Sequence, residues 1–117
     1  MEIYKEYNLT ADIQSLTKQL GDLINIGYRH KFRREANCIF CLELYAWIPP
    51  DQFNVDEVYY FVDSLNPDTD RILYAITTES GIKGTLVDQY GVYADNMSLE
   101  LNQKLGWEGK KSGMPEY

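Results

Sequence analysis

Two cysteines, Cys38 and Cys41, have the spacing that most directly suggests chemistry. A Cys-x-x-Cys pair is half of a tetrahedral zinc site, which needs four thiolate or imidazole ligands. The chain has no second pair and a single histidine, His30, so zinc would have to bind between paired chains. In a regular strand, an offset of three also directs two side chains to opposite faces. The alternative is that both cysteines are small apolar residues of a central strand.

Aspartates between residues 51 and 70 offer oxygen ligands for a divalent cation. Asp68 and Asp70 are one residue apart, a spacing that can hold calcium or magnesium. The segment lacks the twelve-residue loop and closing glutamate of an EF-hand, and aspartate is common in turns. We therefore predict no bound cofactor, with magnesium or zinc as the alternatives.

A basic cluster surrounds His30 and contains no acidic residue. Its members are Arg29, Lys31, Arg33 and Arg34. Such a cluster can hold phosphate, or it can form the solvated face of an edge strand, where charge blocks aggregation. Acidic residues 51–70 are a further candidate partner, across a dimer or within the sheet. Arg33 and Arg34 are therefore candidate partner-binding residues.

A tyrosine-rich segment, Tyr90-Gly91-Val92-Tyr93-Ala94-Asp95, is the second candidate binding surface. Glycine permits close backbone approach, and tyrosine combines an apolar ring with a hydrogen-bonding hydroxyl. This pattern predicts a groove for a small ligand or peptide, or else a tyrosine-rich edge of the core. No Gly-x-Ser-x-Gly elbow is present, and the basic surroundings of His30 oppose its protonation, so we predict no catalytic residue.

The net charge of −7 arises entirely from residues 51–117, which hold five basic and twelve acidic side chains. An acidic chain is repelled by nucleic acid and by anionic lipid, so we expect neither as a partner. No apolar run approaches the ~18 residues of a membrane span, and the first ten residues do not resemble a signal peptide. We expect a cytoplasmic protein with reduced thiols.

The elements that must position these residues follow from periodicity. Apolar residues at helical spacing predict an amphipathic helix over Leu9–Ile26, capped by Thr10 and ended at Gly27. Alternating, β-branched or apolar runs predict strands over Tyr28–Arg34, Cys38–Trp47, Phe53–Val62, Arg71–Thr78 and Ile82–Asp88. Ser98 is placed to cap a last helix that runs to Leu105 and closes at Gly106.

These elements predict an α+β fold. The N-terminal helix would pack on a four- to five-stranded, mainly antiparallel meander, because short links between strands favour antiparallel neighbours. At 117 residues the chain fits one domain, which we place at residues 1–107, with a flexible tail over 108–117.

Much of the chain beyond the first helix also resembles a small bacterial family of uncharacterised proteins, many of which carry the label phosphoribosylpyrophosphate synthetase. The resemblance lies in Gly27-Tyr28, Cys38-x-x-Cys41, Phe53-x-Val55-Asp56-Glu57-Val58-Tyr59-x-Phe61, Asn66-Pro67-Asp68, Ile72-Leu73-Tyr74-Ala75-Ile76 and Gly81-x-Lys83-Gly84-Thr85-Leu86-Val87-Asp88-x-Tyr90-Gly91-Val92-Tyr93-Ala94-Asp95. The chain departs from the family at Val62-Asp63, where a glutamate–glycine pair is common. The label implies magnesium-dependent binding of a phosphoribosyl compound or nucleotide near Asp88 and Asp95.

From the residues, we expect a non-enzymatic cytoplasmic domain that binds another protein, or a second copy of itself, through its sheet edge or a tyrosine-rich surface. The candidate binding residues are Arg33, Arg34, Asp88, Tyr90, Gly91, Tyr93 and Asp95. Two alternatives stay open: the phosphoribosyl or nucleotide binding that the resemblance implies, and zinc binding at Cys38 and Cys41.

Overall fold

The structure, a computed structural model, describes residues 11–12, 15–62, 71–89 and 97–106. Its elements are β1 (Ala11–Asp12), α1 (Leu16–Asn25), β2 (His30–Arg34), β3 (Ile39–Cys41), β4 (Ala46–Ile48), a 3-10 turn (Pro50–Gln52), β5 (Phe53–Val62), β6 (Arg71–Thr78), β7 (Lys83–Gln89) and α2 (Leu99–Leu105). Neither α-helix within these ranges is long and apolar enough to cross a bilayer. The tail predicted over 108–117 lies outside the described residues.

The strands form one mixed sheet, which confirms the α+β class. Among the described residues, six strands have three or more residues, the two-residue β1 lies at one edge, and the order is β1-β5-β6-β7-β2-β3-β4. β5, β6 and β7 form one antiparallel meander, and β2, β3 and β4 form a second. The two are joined by parallel pairing of β2 with β7, and β1 pairs in parallel with β5. The sheet is thus roughly the mainly antiparallel one predicted, but it has more strands than the four to five expected and contains parallel pairs that a meander lacks.

Gly84 shows why these two distant strands can approach closely. A Cβ atom at Gly84 would overlap the backbone oxygen of His30, its register partner on β2, at a separation that real Cβ contacts do not show. That separation is far below van der Waals contact, so only glycine fits without movement of one strand. Within the described residues neither strand is at the edge of the sheet, so the alternative that the basic cluster forms the face of an edge strand was wrong.

α1 is shorter than predicted at its start and ends as predicted. Residues 11–12, expected to be helical, instead pair with the end of β5, so sheet pairing overrides the helical period. At the C-terminus, Gly27 has a φ of +117°. The N–H groups of Gly27 and Tyr28 donate to the oxygens of Ile24 and Leu23 at 3.0 and 2.9 Å, which is the Schellman arrangement. The predicted cap Thr10 lies outside the described residues.

The run Cys38–Trp47 is two strands rather than one central strand. β3 and β4 pair with each other, and residues 42–45 form the connecting turn. Tyr45 closes this turn in the left-handed region, with a φ of +54°. The chain reverses here, which turns the predicted strand into a hairpin at one side of the sheet.

Most of the remaining local predictions agree with the structure. β5 and β6 have the predicted bounds, β2 begins at His30 rather than Tyr28, and β7 begins and ends one residue later than predicted. Gly81, in the β6–β7 loop, has a φ of +93°. The Ser98 hydroxyl accepts the Leu101 N–H at 3.2 Å and caps α2, and Gly106 ends it with a φ of +77°. These predictions succeeded because each depends on residues close together in sequence.

Two apolar clusters lie on opposite faces of the sheet. The larger cluster lies beneath α2 and contains Phe32, Ile39, Cys41, Ile48, Phe53, Tyr60, Ile72, Tyr74, Ile76, Leu86, Met97, Leu101 and Leu105. The smaller cluster lies beneath α1 and contains Leu23, Tyr28, Phe61, Leu73 and Ala75. The strand residues of the smaller cluster come from β5 and β6, so α1 covers the β5–β6 part of this face of the sheet. On the same face, the β2–β3–β4 half keeps large side chains exposed.

Candidate functional site

The β2–β3–β4 half of the α1 side carries a group of aromatic and cationic side chains. We call it the aromatic face, made of Arg33, Phe40, Leu42, Tyr45 and Trp47. Register pairs Arg33 with Phe40 and Phe40 with Trp47, which places these three side chains in one row across the strands. The row continues the α1 side of the sheet beyond the part that α1 covers.

Phe40 forms the centre of the aromatic face. The centroid of its ring lies 4.7 Å from that of Trp47 and 5.7 Å from that of Tyr45, both in tilted orientations. The guanidinium carbon of Arg33 lies 4.8 Å from the Phe40 centroid, within cation–π range. Phe40 is buried at 6% exposure, whereas Trp47 is 65% and Tyr45 76% exposed. The outer rings therefore cover Phe40 and themselves face solvent.

The backbone explains why Phe40 and Trp47 meet so closely. The Leu42 N–H donates to the Lys31 oxygen, and the Glu35 N–H donates to the Cys38 oxygen, both at 2.9 Å. Hydrogen-bonded pairs alternate along an antiparallel ladder, so the polar backbone groups of Phe40 point towards β2. The Phe40–Trp47 pair is consequently of the non-hydrogen-bonded type, in which facing side chains are closest.

The alternation of hydrogen-bonded pairs also determines which backbone groups lie at the outer edge of β4. Ala46 and Ile48 direct their N–H and C=O groups towards β3, which leaves Trp47 as the residue that presents these groups outwards. Pro49 follows and has no N–H to donate. A strand this short, closed by proline, is a poor template for an added strand. The chemistry available on the hairpin therefore lies on its face rather than its edge.

Acidic side chains within the sheet occupy both arginines that were predicted to bind a partner. Arg33 Nε donates to Glu35 Oε2 at 2.7 Å, and this ion pair fixes the guanidinium over Phe40. Arg34 donates to both carboxylate oxygens of Asp88 in a mostly buried ion pair. The partners of these two arginines thus lie outside the acidic segment 51–70.

Asp88, the one described member of the predicted phosphoribosyl or magnesium site, is held by Arg34. A metal ion at this carboxylate would have to displace the guanidinium, which weighs against a magnesium site there. Tyr90, Gly91, Tyr93 and Asp95 lie outside the described residues, as do Asp68 and Asp70.

The two cysteines are buried free thiols. Cys41 belongs to the cluster beneath α2, and Cys38 precedes β3. Burial, reinforced by the charge of Glu35, raises the pKa of Cys38, which disfavours the thiolate needed for metal binding. Within residues 11–12, 15–62, 71–89 and 97–106, no three His, Cys, Asp or Glu residues are grouped to hold a metal ion.

A polar cluster at the other end of the sheet ties α1 to the strands. The hydroxyl groups of Tyr28 and Thr77 donate to Asp56 Oδ2 at 2.8 and 2.5 Å. The Nζ atom of Lys83 lies 4.8 Å from the centroid of the Tyr28 ring. Burial, followed by the Asp56 hydrogen bond, raises the pKa of Tyr28, so this hydroxyl stays protonated at neutral pH. The cluster fixes the turn after α1 against β5 and β6.

A shallow open depression of about 720 Å³ lies beside α2. Its lining residues, most of which have polar side chains, are Asn37, Pro50, Asp51, Ser98, Glu100, Gln103 and Lys104. Ser98 already caps the helix, and the carboxylates of Asp51 and Glu100 oppose an anionic ligand there. The depression therefore offers less specific chemistry than the aromatic face.

Sequence reasoning missed Tyr45 and Trp47, because the run that contains them was interpreted as one strand buried on both faces. The signal that could have separated them is Glu43, the one charged residue of that run. Its carboxylate accepts the Lys31 backbone N–H at 2.9 Å at the start of the turn.

No family model, curated protein or solved structure matches this chain, so its resemblance to the bacterial family stays a prediction.

Proposed function

We propose that this protein is a non-catalytic protein-binding module that holds its partner on the aromatic face. The observation that carries this proposal is the exposure of Trp47 and Tyr45 around the buried ring of Phe40. Tryptophan, tyrosine and arginine are the residues most enriched at the energetic centres of protein interfaces. Here Trp47, Tyr45 and Arg33 surround the ring of Phe40. The pairing of β3 with β4 and the Arg33–Glu35 ion pair hold this arrangement in the absence of a partner.

The backbone of Tyr45 adds a second, independent argument. A left-handed conformation is unfavourable for residues other than glycine, by about 1–2 kcal/mol. Tyr45 adopts it in a turn where its own side chain is mostly exposed. Glycine or asparagine would fit this backbone with less strain. Strain retained at a side chain that contacts Phe40 but is mostly exposed favours a functional role for that side chain.

The aromatic face is also a better binding surface than the outer edge of β4. Hydrogen-bonded pairs alternate along β4, so Trp47 alone presents its backbone N–H and C=O groups outwards, and proline ends the strand soon after it. An incoming strand would therefore form few hydrogen bonds with this edge. The aromatic face instead offers a fixed apolar surface with a cation beside it. The groove predicted around Tyr90 and Tyr93 stays a separate prediction.

Site-specific photo-cross-linking in the producing cell tests the proposal. A benzophenone amino acid replaces Trp47 in one variant and Leu99 in another. Leu99 is a matched control, because it is a large apolar residue of α2 with 60% exposure, against 65% for Trp47. We expect a discrete protein adduct from position 47 and none from position 99. Absence of an adduct at position 47 in a folded variant, or the same adduct at both positions, would overturn the proposal.

A further inference from the structure

We infer that the partner presents an apolar anchor flanked by carboxylates, so that the ligand of the aromatic face is an acidic segment of another protein. This inference rests on the proposed function and adds the chemistry of the partner. It follows from the charged residues that border the exposed rings and from the way each of them is already engaged.

Cations border the face on the β2 side. Lys31 is exposed and, two residues from Arg33 on β2, lies on the same face of the sheet. The Arg33 side chain keeps 58% exposure although Glu35 holds its Nε atom. A carboxylate that approaches the rings from this side would therefore meet one oriented guanidinium and at least one ammonium group.

Two carboxylates of the chain lie near these cations. Glu35 is paired with Arg33, and Glu43 accepts the backbone N–H of Lys31. Burial alone would raise the pKa of Glu43, but hydrogen bonds from backbone N–H groups, first that of Lys31, lower it overall, so this group is ionised. Glu35 engages Arg33 through Nε, and Glu43 engages Lys31 through its backbone N–H rather than its ammonium group. The Nη groups of Arg33 and the Nζ group of Lys31 are therefore available to donate to one or two carboxylates of a peptide.

The same charges disfavour the other occupants. A second copy bound about a two-fold axis would place each face against itself, so the cations of one copy would meet those of the other. Nucleic acid binding requires several cations for a row of phosphates, whereas β2 offers Lys31 and Arg33 beside two carboxylates, and Asp88 holds the mostly buried Arg34. A short acidic segment avoids both problems, because it brings anions to these cations and needs only one or two of them. The acidic residues of the chain that lie more than ~8 Å away are screened at physiological salt.

Nuclear magnetic resonance of the ¹⁵N-labelled full chain tests the inference. The probes are three synthetic twelve-residue peptides with one shared leucine–tryptophan centre and flanks of glutamate, glutamine or lysine, together with a twelve-residue oligothymidylate. The reporter is the indole N–H resonance of Trp47, assigned with Trp47→Phe. We expect the glutamate peptide to bind about threefold more tightly than the glutamine peptide, the effect of one exposed ion pair. The lysine peptide should bind more weakly still.

Charge reversal on the protein provides the matched control. Lys31→Glu should abolish the preference for the glutamate peptide, whereas Lys18→Glu should keep it. Lys18 is an exposed residue of α1 that pairs with Asp22, so its reversal changes the net charge equally without altering the aromatic face.

Several results would overturn the inference. These are equal binding of all three peptides, preference for lysine, tighter binding of the oligothymidylate, or no shift of the Trp47 resonance at millimolar peptide. A concentration-dependent dimer in sedimentation that Trp47→Ala abolishes would replace the peptide with a second copy. Equal binding of the three peptides at Trp47 would still support the proposed function, and cross-linking at position 47 decides that function separately.

Discussion

The left-handed backbone at Tyr45 can be tested with two substitutions that remove the same ring. Tyr45→Gly and Tyr45→Ala both lose the contact with Phe40, so their stabilities differ through the backbone alone. At a φ of +54°, alanine retains an unfavourable conformation of about 1–2 kcal/mol that glycine does not have. Glycine also has more conformational freedom in the unfolded chain, which destabilises the folded glycine variant by about 0.4–1 kcal/mol relative to alanine and so offsets part of this advantage. We therefore expect the glycine variant to be more stable by about 0.5–1 kcal/mol.

Urea unfolding followed by circular dichroism measures this difference. The slope of the free energy of unfolding against urea should be the same for both variants, because the area exposed on unfolding barely changes. The difference then appears as a higher midpoint for Tyr45→Gly, with a melting temperature about 2–5 °C higher. Tyr45→Asn should lie closer to the glycine variant, since asparagine tolerates this conformation.

The partner-binding assay gives the second half of this prediction. Both variants should lose binding to a similar degree, since binding depends on the ring and stability on the backbone. An alanine variant as stable as the glycine variant, or more stable, would mean that Tyr45 is not left-handed in solution. The presentation of its ring, and with it the argument from strain, would then be wrong.

Three further predictions concern the fold and its pH dependence. Gly84→Ala should lower the free energy of unfolding by about 1–3 kcal/mol because its Cβ meets backbone of β2, whereas Gly21→Ala, in open space within α1, should raise it by about 1 kcal/mol in the same urea assay. Asp88→Asn should lower it by about 1–3 kcal/mol, since the mostly buried Arg34 loses its charged partner. A double-mutant cycle with Arg34→Met should show coupling between the two residues, and strict additivity would contradict their pairing. The pKa of Tyr28 is raised above 10.0 in the folded state, so its contribution to stability is complete below pH 10 and is lost as pH rises through the folded pKa. Tyr28→Phe should therefore flatten the fall in stability above pH 10, and an unchanged profile would contradict this account.

The features that local sequence determines were predicted well. Gly27 and Gly81 take positive φ where turns were expected, and Ser98 caps α2 through its own hydroxyl. Each depends on the conformational limits of one residue and its near neighbours. The periodic strands β5 and β6 were equally legible, because their alternation and turn residues agree.

The features set by distant residues were not predictable in the same way. Pairing of β2 with β7 depends on Gly84, and its role is visible only when the facing carbonyl of His30 is known. The apolar run that contains Phe40 and Trp47 indicated a fully buried strand, since periodicity cannot show that a hairpin lies on a half-covered face. The aromatic face was missed for that reason, while the general expectation of a protein-binding surface led to the proposal made here.

The affinity of the cross-linked partner for purified variants tests the central claim most directly. Isothermal titration would compare the wild-type chain with Trp47→Ala and Leu99→Ala, after circular dichroism confirms that both variants fold. The account predicts binding at least about tenfold weaker for Trp47→Ala, as expected for an interface centre, and unchanged binding for Leu99→Ala. A folded Trp47→Ala variant that binds as tightly as the wild-type chain would contradict the claim that the aromatic face holds the partner.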